Sequence, residues 1–236
     1  VLCARWWGFD GTVWEDGDVT YRAVCDRATA GTFAARLPVH LARVNPDVVH
    51  AAVSPPAAVA SARVVTTALR VPLIVDWWAD HPADRPEAYR RIARLPATVT
   101  VPSRLAATDA REHGVAKDRV TVAPEPVDYE RVRAAPVDGR ADVVYARRLD
   151  ADANVESLLL ALAELRDRSW RAAVVGDGPA RPAAEKAAAD LRIGDRVEFL
   201  GDLPLADLLP VLRGAHVFAQ TATSERFASE LCWALA

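Results

Sequence analysis

The chain has 236 residues, of which 51% are hydrophobic, and its formal net charge is −3 from 29 basic and 32 acidic side chains. That hydrophobic content is ample for a packed core and excludes a disordered chain. The balanced charge gives no electrostatic reason to expect nucleic acid as a partner.

The cysteines are Cys3, Cys25 and Cys232, and they form neither a C-x-x-C pair nor a cluster with zinc spacing. An odd number of cysteines predicts reduced thiols and a cytoplasmic protein. No apolar run reaches the ~18 residues that span a bilayer. The chain contains no Met, begins at Val1 and stops inside a helical pattern, so we expect truncation at both ends.

Short Val-rich runs, bounded by Pro, Asp or Gly, predict buried parallel strands along the whole chain. In chain order they are 1–5, 19–24, 47–51, 72–77, 97–101, 119–123, 142–146, 172–176, 196–200 and 216–220. Amphipathic stretches between them predict helices at 32–44, 56–69, 86–94, 103–113, 154–167, 182–191 and 205–213. This alternation is typical of βαβ units, and therefore of parallel sheets.

Single residues and local composition predict where one helix begins and ends and where the two domains meet. Ser103 is a good helix N-cap, and Gly114 is a good residue to end that helix. The stretch AAPVDGRAD (134–142) lacks periodicity, so we expect a linker at 135–141 between domains 1–134 and 142–236.

GFDGTVW (8–14) is similar to the phosphatase signature D-x-D-G-T, but Gly8 stands where the nucleophilic Asp should be. We interpret Asp10-Gly11 as a turn between two strands.

An ordered series of segments carries a family resemblance. DVVYARRLDADANVESLLLALAEL (142–165), VVGDGP (174–179) and RVEFLGDLPLADLLPVLRGAHVFAQTATSERFASE (196–230) resemble the donor-binding domain of family 4, group 1 glycosyltransferases. PDVVHA (46–51), VTVPSRLAATDAREHGV (99–115) and RVTVAPEPVDYERVR (119–133) resemble the acceptor domain of that family.

The resemblance implies an α/β fold of GT-B type: two Rossmann-like, doubly wound parallel-sheet domains facing across a cleft. Residues 1–134 would be the acceptor-side domain without the family's first strand and helix, and 142–236 a truncated donor domain. The implied activity is transfer of a sugar from a nucleoside-diphosphate sugar, with retention. The resemblance implies neither an obligatory metal nor a permanently bound cofactor.

The implied acceptor is a glycan, a lipid or a small molecule, and peripheral association with the inner face of the membrane stays open. Two alternatives remain. One is a glycosyltransferase-like binding or scaffold protein with degraded catalysis, and the other is a sugar-nucleotide 2-epimerase.

Donor binding is assigned first to Arg147 and Arg148, because a departing diphosphate needs cations or N–H donors. The resemblance places Arg148 on the family's phosphate-binding arginine. A surface or helix-capping arginine pair is the simpler alternative. The turn residues Gly176, Asp177 and Gly178 are assigned to the same donor site.

The segment near the C-terminus completes the predicted donor site. Glu225 begins the family's E-x(7)-E pattern and is expected to contact hydroxyl groups of the donor sugar, or else only to satisfy a helix dipole. Backbone N–H groups of Phe227, Ala228 and Ser229 would face the diphosphate. The glycines of the family are replaced here by Arg226 and Ala228.

Two other departures concern polar groups. The family's Lys, five residues after Arg148, is Ala153 here, and the second Glu of the pattern, which holds the ribose, is Trp233. Glu230 lies one turn before Trp233 on nearly the same helix face. It takes over the ribose contact or is simply a solvated glutamate.

On the acceptor side, His50 ends a strand and is a candidate to line the cleft. Trp78 occupies the position of a family histidine near the reaction centre, and His81 is the candidate to replace that histidine. Glu225 and His81 are therefore the predicted catalytic residues. Trp77 is either a core aromatic or, with Trp78, a surface on which sugars stack.

Overall fold

We describe a computed structural model, which covers residues 1–26, 29–78, 86–223 and 229–236. The chain divides into two compact units, Val1–Pro124 and Glu125–Ala236. Within these described ranges, no helix combines the length and the hydropathy needed to cross a membrane.

The first unit alternates strands and helices. In chain order it contains β1 (Leu2–Ala4), β2 (Val13–Asp16), β3 (Val19–Cys25), α1 (Ala30–Val44), β4 (Val49–Ala52), α2 (Pro56–Leu69), β5 (Leu73–Asp76), α3 (Pro86–Ile92), β6 (Thr98–Val101), α4 (Arg104–Glu112), a 3₁₀ turn (Lys117–Arg119) and β7 (Val120–Val122).

These strands form two sheets. One has the order β4-β5-β6-β7 and is parallel throughout, as the Val-rich pattern predicts. The other has the order β1-β3-β2, in which β1 pairs with β3 in parallel and β2 pairs with β3 as an antiparallel hairpin. Strand β2 was not predicted, and its glycine turn at Gly17 (φ +56°) makes the hairpin.

The core of the first unit lies between the four-stranded sheet and its helices. Val75 of β5 and Val99 of β6 are almost completely buried, and they share one cluster with Val59 of α2 and Ala106 of α4. Burying each such valine stabilises the fold by about 1.5–3 kcal/mol relative to leaving it exposed. The Ser103 cap is confirmed, because Ser103 Oγ accepts a hydrogen bond from Ala106 N at 3.1 Å.

The second unit follows the same alternation. It contains α5 (Tyr129–Ala134), β8 (Val143–Ala146), α6 (Val155–Glu164), β9 (Ala172–Val175), α7 (Arg181–Asp190), β10 (Val197–Gly201), α8 (Leu205–Gly214), β11 (Val217–Phe218) and α9 (Ser229–Leu235).

The strands described in this unit form a parallel sheet in the order β10-β9-β8-β11, and both of its faces are covered. Tyr145 and Val174 pack in one cluster with α6, whereas the adjacent residues Val144 and Val175 pack in another with α8. This alternation follows from the two-residue period of a strand. Helices on both faces confirm the predicted Rossmann-like, doubly wound α/β class.

The boundary between the units lies before the predicted linker. Val132 and Ala135 pack with the α8 cluster, and Asp138 N donates a hydrogen bond to Pro210 O at 2.9 Å. The 135–141 stretch therefore belongs to the second unit, because its apolar residues and backbone are held there. The division falls between Pro124 and Glu125.

Candidate functional site

A cavity of about 270 Å³ opens at the carboxyl ends of β8, β9 and β10 in the second unit. Parallel α/β sheets bind ligands at this end of their strands. Four segments of the chain line the cavity with charged, backbone, apolar and aromatic groups. The lining residues are Ala146, Arg147, Arg148, Val175, Gly176, Asp202, Leu203, Leu205, Leu208, Glu230 and Trp233.

The two arginines that follow β8 differ in their surroundings. The Arg147 side chain is only 13% exposed, and its Nη2 lies 3.8 Å from Asp150 Oδ1. Arg148 is exposed, and within the described ranges no carboxylate lies at ion-pair distance from it. Arg148 is therefore the guanidinium better placed to meet an anionic ligand, with five N–H donors in a fork that fits phosphate oxygens.

The turn after β9 packs directly on the loop after β8. A Cβ on Gly176 would lie 2.0 Å from Arg147 O, and one on Gly178 would lie 2.3 Å from Leu149 O. Gly176 has φ +123°, a conformation that residues with a side chain rarely adopt. These glycines allow the two backbones to approach each other closely.

The N–H groups of that turn bond within the protein. Gly176 N donates to Gly201 O at 2.7 Å, and Asp177 N donates to Asp202 Oδ1 at 2.8 Å. Gly178 N lies 2.7 Å from Asp177 Oδ1. The turn thus fixes the position of the loop that carries Arg147 and Arg148. A direct contact of Gly176, Asp177 or Gly178 with a ligand stays a prediction.

Helix α9 brings two further predicted positions to the cavity. Glu230 and Trp233 both line it, three residues apart on one helix face. Ser229 Oγ donates a hydrogen bond to the Glu125 carboxylate, so this hydroxyl anchors the start of α9 to the beginning of the unit. Glu225, Phe227 and Ala228 lie outside the described residues.

Position 153, where the resemblance expects a lysine, lies in the core and not in the cavity. Ala153 is 0% exposed and belongs to the cluster that contains Tyr145 and Leu159. Its carbonyl accepts a hydrogen bond from Tyr145 Oη at 2.7 Å. Asn154 follows in the left-handed region (φ 50°), and its Nδ2 donates to Thr221 O at 3.0 Å.

In the first unit, polar side chains meet at the carboxyl end of the four-stranded sheet. His50 Nε2 lies 2.9 Å from Asp76 Oδ1, and Thr100 Oγ1 donates to the same carboxylate. Sequence reasoning singled out His50 but missed Asp76, which precedes the last residue of the predicted run PLIVDW and is the last residue of β5. A carboxylate at the end of a buried strand was the available signal.

The aromatic pair after β5 divides into one buried and one exposed residue. Trp77 is 1% exposed, and its Nε1 donates to Asp109 Oδ2 at 2.7 Å, so it is a core aromatic. Trp78 is 38% exposed and remains a candidate for contact with an acceptor. His81 lies outside the described residues.

Neither a cluster of metal ligands nor a role for the two shifted cations was found at the cavity among the described residues. In the ranges that the structure describes, no three His, Cys, Asp or Glu side chains group together as metal ligands would. Hydrogen bonds raise the pKa of Arg181, chiefly through Glu185, and that of Lys186 through Asp190. Both are surface pairs on α7, outside the cavity.

Comparison with protein families gives two matches in the expected order. Residues 2–126 match the "Glycosyl transferase 4-like domain", and residues 128–236 match "Glycosyl transferases group 1". The chain belongs to the group 1 glycosyltransferases.

The chain is 30% identical over 153 residues to a "2-deoxystreptamine glucosyltransferase" from Streptomyces kanamyceticus. The match covers 58% of the chain but only 39% of that relative's length.

Solved structures confirm the GT-B-type fold class. Anabaena HepE in complex with UDP-glucose has a TM-score of 0.72 at 17% identity, over 91% of this chain and 64% of HepE. Sucrose-phosphate synthase from Thermosynechococcus elongatus has a TM-score of 0.74 at 16% identity, over 96% of this chain and 66% of that one. The chain thus spans about two thirds of the length of these solved structures.

Proposed function

We propose that the protein transfers a sugar from a nucleoside-diphosphate sugar to an acceptor, and that the diphosphate of the donor binds in the 270 Å³ cavity. The observation that carries the proposal is the joint presence of Arg147, Arg148 and Glu230 at the carboxyl ends of parallel strands. The HepE structures, determined with UDP and with UDP-glucose, support a uridine nucleotide as the first donor to test.

In this proposal the arginines carry the electrostatic part of the reaction. When the bond between the sugar and the diphosphate breaks, negative charge builds up on the leaving diphosphate. Guanidinium groups already aimed at the cavity stabilise that charge without reorganising at the moment of reaction. Arg148 makes the direct contact, and Arg147, held near Asp150, supports the local positive charge.

Glu230 is the proposed ribose ligand. It lines the same cavity as Trp233, which stands where the family has its ribose-binding glutamate. A carboxylate accepts two hydrogen bonds from the neighbouring hydroxyls of a ribose. The shift by one helical turn keeps the carboxylate on nearly the same face of α9.

For the acceptor we propose a polar small molecule that carries amino groups. The 2-deoxystreptamine glucosyltransferase relative supports this choice, since its name specifies an aminocyclitol. Retention of anomeric configuration, Glu225 as a sugar contact and His81 as a catalytic residue remain part of the same proposal.

The decisive experiment is titration calorimetry of UDP, GDP and ADP with the full-length protein and with Arg148→Ala. Losing a charged hydrogen bond costs about 1.5–3 kcal/mol, so we expect roughly 10- to 150-fold weaker binding. Arg168→Ala is the matched control, since Arg168 is an exposed arginine of the same unit outside the cavity.

The outcomes separate the alternatives. If no nucleotide binds the full-length protein, the scaffold hypothesis replaces the enzyme. If both arginine variants weaken binding equally, the effect is one of net charge and the proposed site is wrong. Where a UDP-sugar binds, formation of its 2-epimer without any acceptor would identify an epimerase.

A further inference from the structure

Five aromatic side chains gather on the β1-β3-β2 sheet and on the loop that joins β1 to β2. The ring centroids of Trp6 and Trp14 lie 4.8 Å apart with the rings nearly perpendicular, and Trp14 stacks on Tyr21 at 4.9 Å. Trp7 stacks on Phe9 at 6.0 Å and lies 6.2 Å from Trp14. We call these five residues the aromatic platform. Each ring contacts another, so the platform is ordered before a ligand arrives, which lowers the entropy cost of binding.

The strand residues of the aromatic platform lie on the face of the sheet that points away from α1. Leu2 of β1 packs against the core cluster that includes residues of α1, and its register partner on β3 is Arg22. Because successive residues of a strand alternate between faces, Tyr21 lies on the opposite face. Trp14 pairs directly with Tyr21 across the hairpin and shares that face.

Two rings of the aromatic platform are open to solvent in the described chain. Trp6 is 63% exposed and Phe9 is 48% exposed. A cross-strand pair such as Trp14 and Tyr21 stabilises a hairpin, but that role does not require Trp6. Single apolar residues are ordinary on a protein surface, whereas a contiguous aromatic patch is typical of a binding surface.

Carboxylates surround the aromatic platform. Residues 1–26 contain five acidic and two basic side chains, whereas the rest of the chain contains 27 of each. The net charge of −3 is therefore concentrated in this one segment. Asp16 follows Trp14 by two residues on β2, so it lies on the same face of the sheet as the platform. The carboxylate of Asp10, next to Phe9, is fully exposed.

The combination of aromatic rings and carboxylates indicates the chemistry of the ligand. The C–H face of a carbohydrate-like ring stacks on tryptophan, and an ammonium group is attracted both to the face of a tryptophan and to a carboxylate. The phosphates of nucleic acid or of anionic lipid would be repelled by residues 1–26. A second copy of the chain would bring two surfaces of like charge together.

We propose that the aromatic platform, together with Asp16, binds an amino-substituted carbohydrate ring and makes the protein prefer amino-bearing acceptors to neutral ones. The ring stacks on Trp6, and one of its ammonium groups pairs with Asp16. The loop that carries Trp6 begins at the carboxyl end of β1, the end of a strand at which α/β sheets bind ligands. This inference rests on the acceptor class proposed above, but the binding itself needs no nucleotide.

Titration calorimetry of the full-length protein without nucleotide tests the binding. The probe is 2-deoxystreptamine, and myo-inositol is the control ligand, because it has a six-membered carbocycle without amino groups. We expect myo-inositol to bind at least about 5-fold more weakly, since it lacks the ammonium groups that interact with the carboxylate and the ring face.

Substitutions at Trp6 test the stacking contact. Trp6→Ala should weaken the binding of 2-deoxystreptamine roughly 5- to 10-fold, whereas Trp6→Phe keeps an aromatic face and should retain most of the affinity. Val64→Ala is the matched control, since Val64 is 68% exposed on α2 and lies outside the platform.

A substitution at Asp16 tests the charge contact. Asp16→Asn should weaken the binding of 2-deoxystreptamine roughly 2- to 5-fold and leave that of myo-inositol unchanged. Asp118→Asn is the control for net charge, since Asp118 is an exposed carboxylate in the 3₁₀ turn of the same unit.

Four results would overturn the proposal. They are no binding of 2-deoxystreptamine, equal affinity for the two probes, unchanged affinity in Trp6→Ala, and equal losses in Asp16→Asn and Asp118→Asn. The proposed function can fail separately. If no nucleotide binds while 2-deoxystreptamine binding depends on Trp6 and Asp16, the platform is confirmed and the protein is a carbohydrate-binding protein without donor transfer.

Discussion

The two units finish the carboxyl ends of their strands in different ways. In the second unit, backbone contacts join the loops after β8 and β9, with Arg147 N donating to Val175 O and Leu149 N to Asp177 O at 3.0 Å each. In the first unit, Val53 N and Trp77 N make the corresponding backbone bonds to Asp76 O and Thr100 O, and the side chains of His50, Asp76 and Thr100 bond to one another as well.

Substitutions of ligand-binding side chains in the second unit should therefore change ligand affinity without changing the stability of the loops. Because the backbone bonds and the close approach of Gly176 hold the loops there, Arg148 is not needed to keep them in place. In the first unit the polar side chains bond to one another, so a substitution changes both the local structure and any contact with a ligand. Variants of the two units should therefore report different quantities.

The largest expected effect is at Gly176, where the backbone contact is closest. Gly176→Ala would place a Cβ 2.0 Å from Arg147 O at φ +123°. Overpacking and left-handed strain together should lower the free energy of unfolding by about 3–4 kcal/mol. Urea unfolding measures this loss. Gly139→Ala is the control, since a Cβ there meets no atom within 4 Å. Equal losses would show that the close approach does not matter.

The next effect concerns the missing family lysine. Ala153→Lys restores that residue, but it does so at a position that is 0% exposed. Burying an unpaired ammonium is costly, so we expect a loss of roughly 3 kcal/mol in unfolding free energy and no gain in nucleotide affinity. Ala151→Lys, on the exposed part of the same loop, is the matched control. Tighter nucleotide binding by Ala153→Lys would contradict the core position.

A smaller effect is expected in the first unit at Trp77. Trp77→Phe removes the indole N–H that bonds to Asp109, a carboxylate only 15% exposed. A buried charged acceptor that loses this donor should cost about 1.5–3 kcal/mol. Thermal unfolding would detect the change. Trp78→Phe provides the comparison, and a loss as large as that of Trp77→Phe would argue against the hydrogen bond as the cause.

Sequence patterns predicted the alternation of strands and helices well, since buried parallel strands leave a strong Val-rich signal. They missed β2 because its residues Val13, Glu15 and Asp16 are exposed, and no buried face marks the strand. They also missed α5, a helix of six residues whose Asp128 cap was the available signal. Short elements held by tertiary contacts carry little periodicity.

The candidate site was predictable where residues directly follow strands, as Arg147 and Arg148 do. The role of Gly176 was not, because the sequence does not say which backbone lies 2.0 Å from its missing Cβ. The burial of Ala153 could not be predicted either, since it depends on packing against Tyr145 and Leu159, which come from other elements. Contacts between distant segments, and not local propensity, decide such positions.

The exposed carboxylates on the outer edge of β2 affect how the chain avoids aggregation during synthesis. That edge is the free side of the β1-β3-β2 sheet, and Glu15 and Asp16 stand exposed along it. A neighbouring nascent chain that docked there through its own β2 would bring like carboxylates together, which disfavours the pairing. The charged edge of the β2-β3 hairpin thus disfavours edge-to-edge pairing between chains, which is the first step of strand-mediated aggregation.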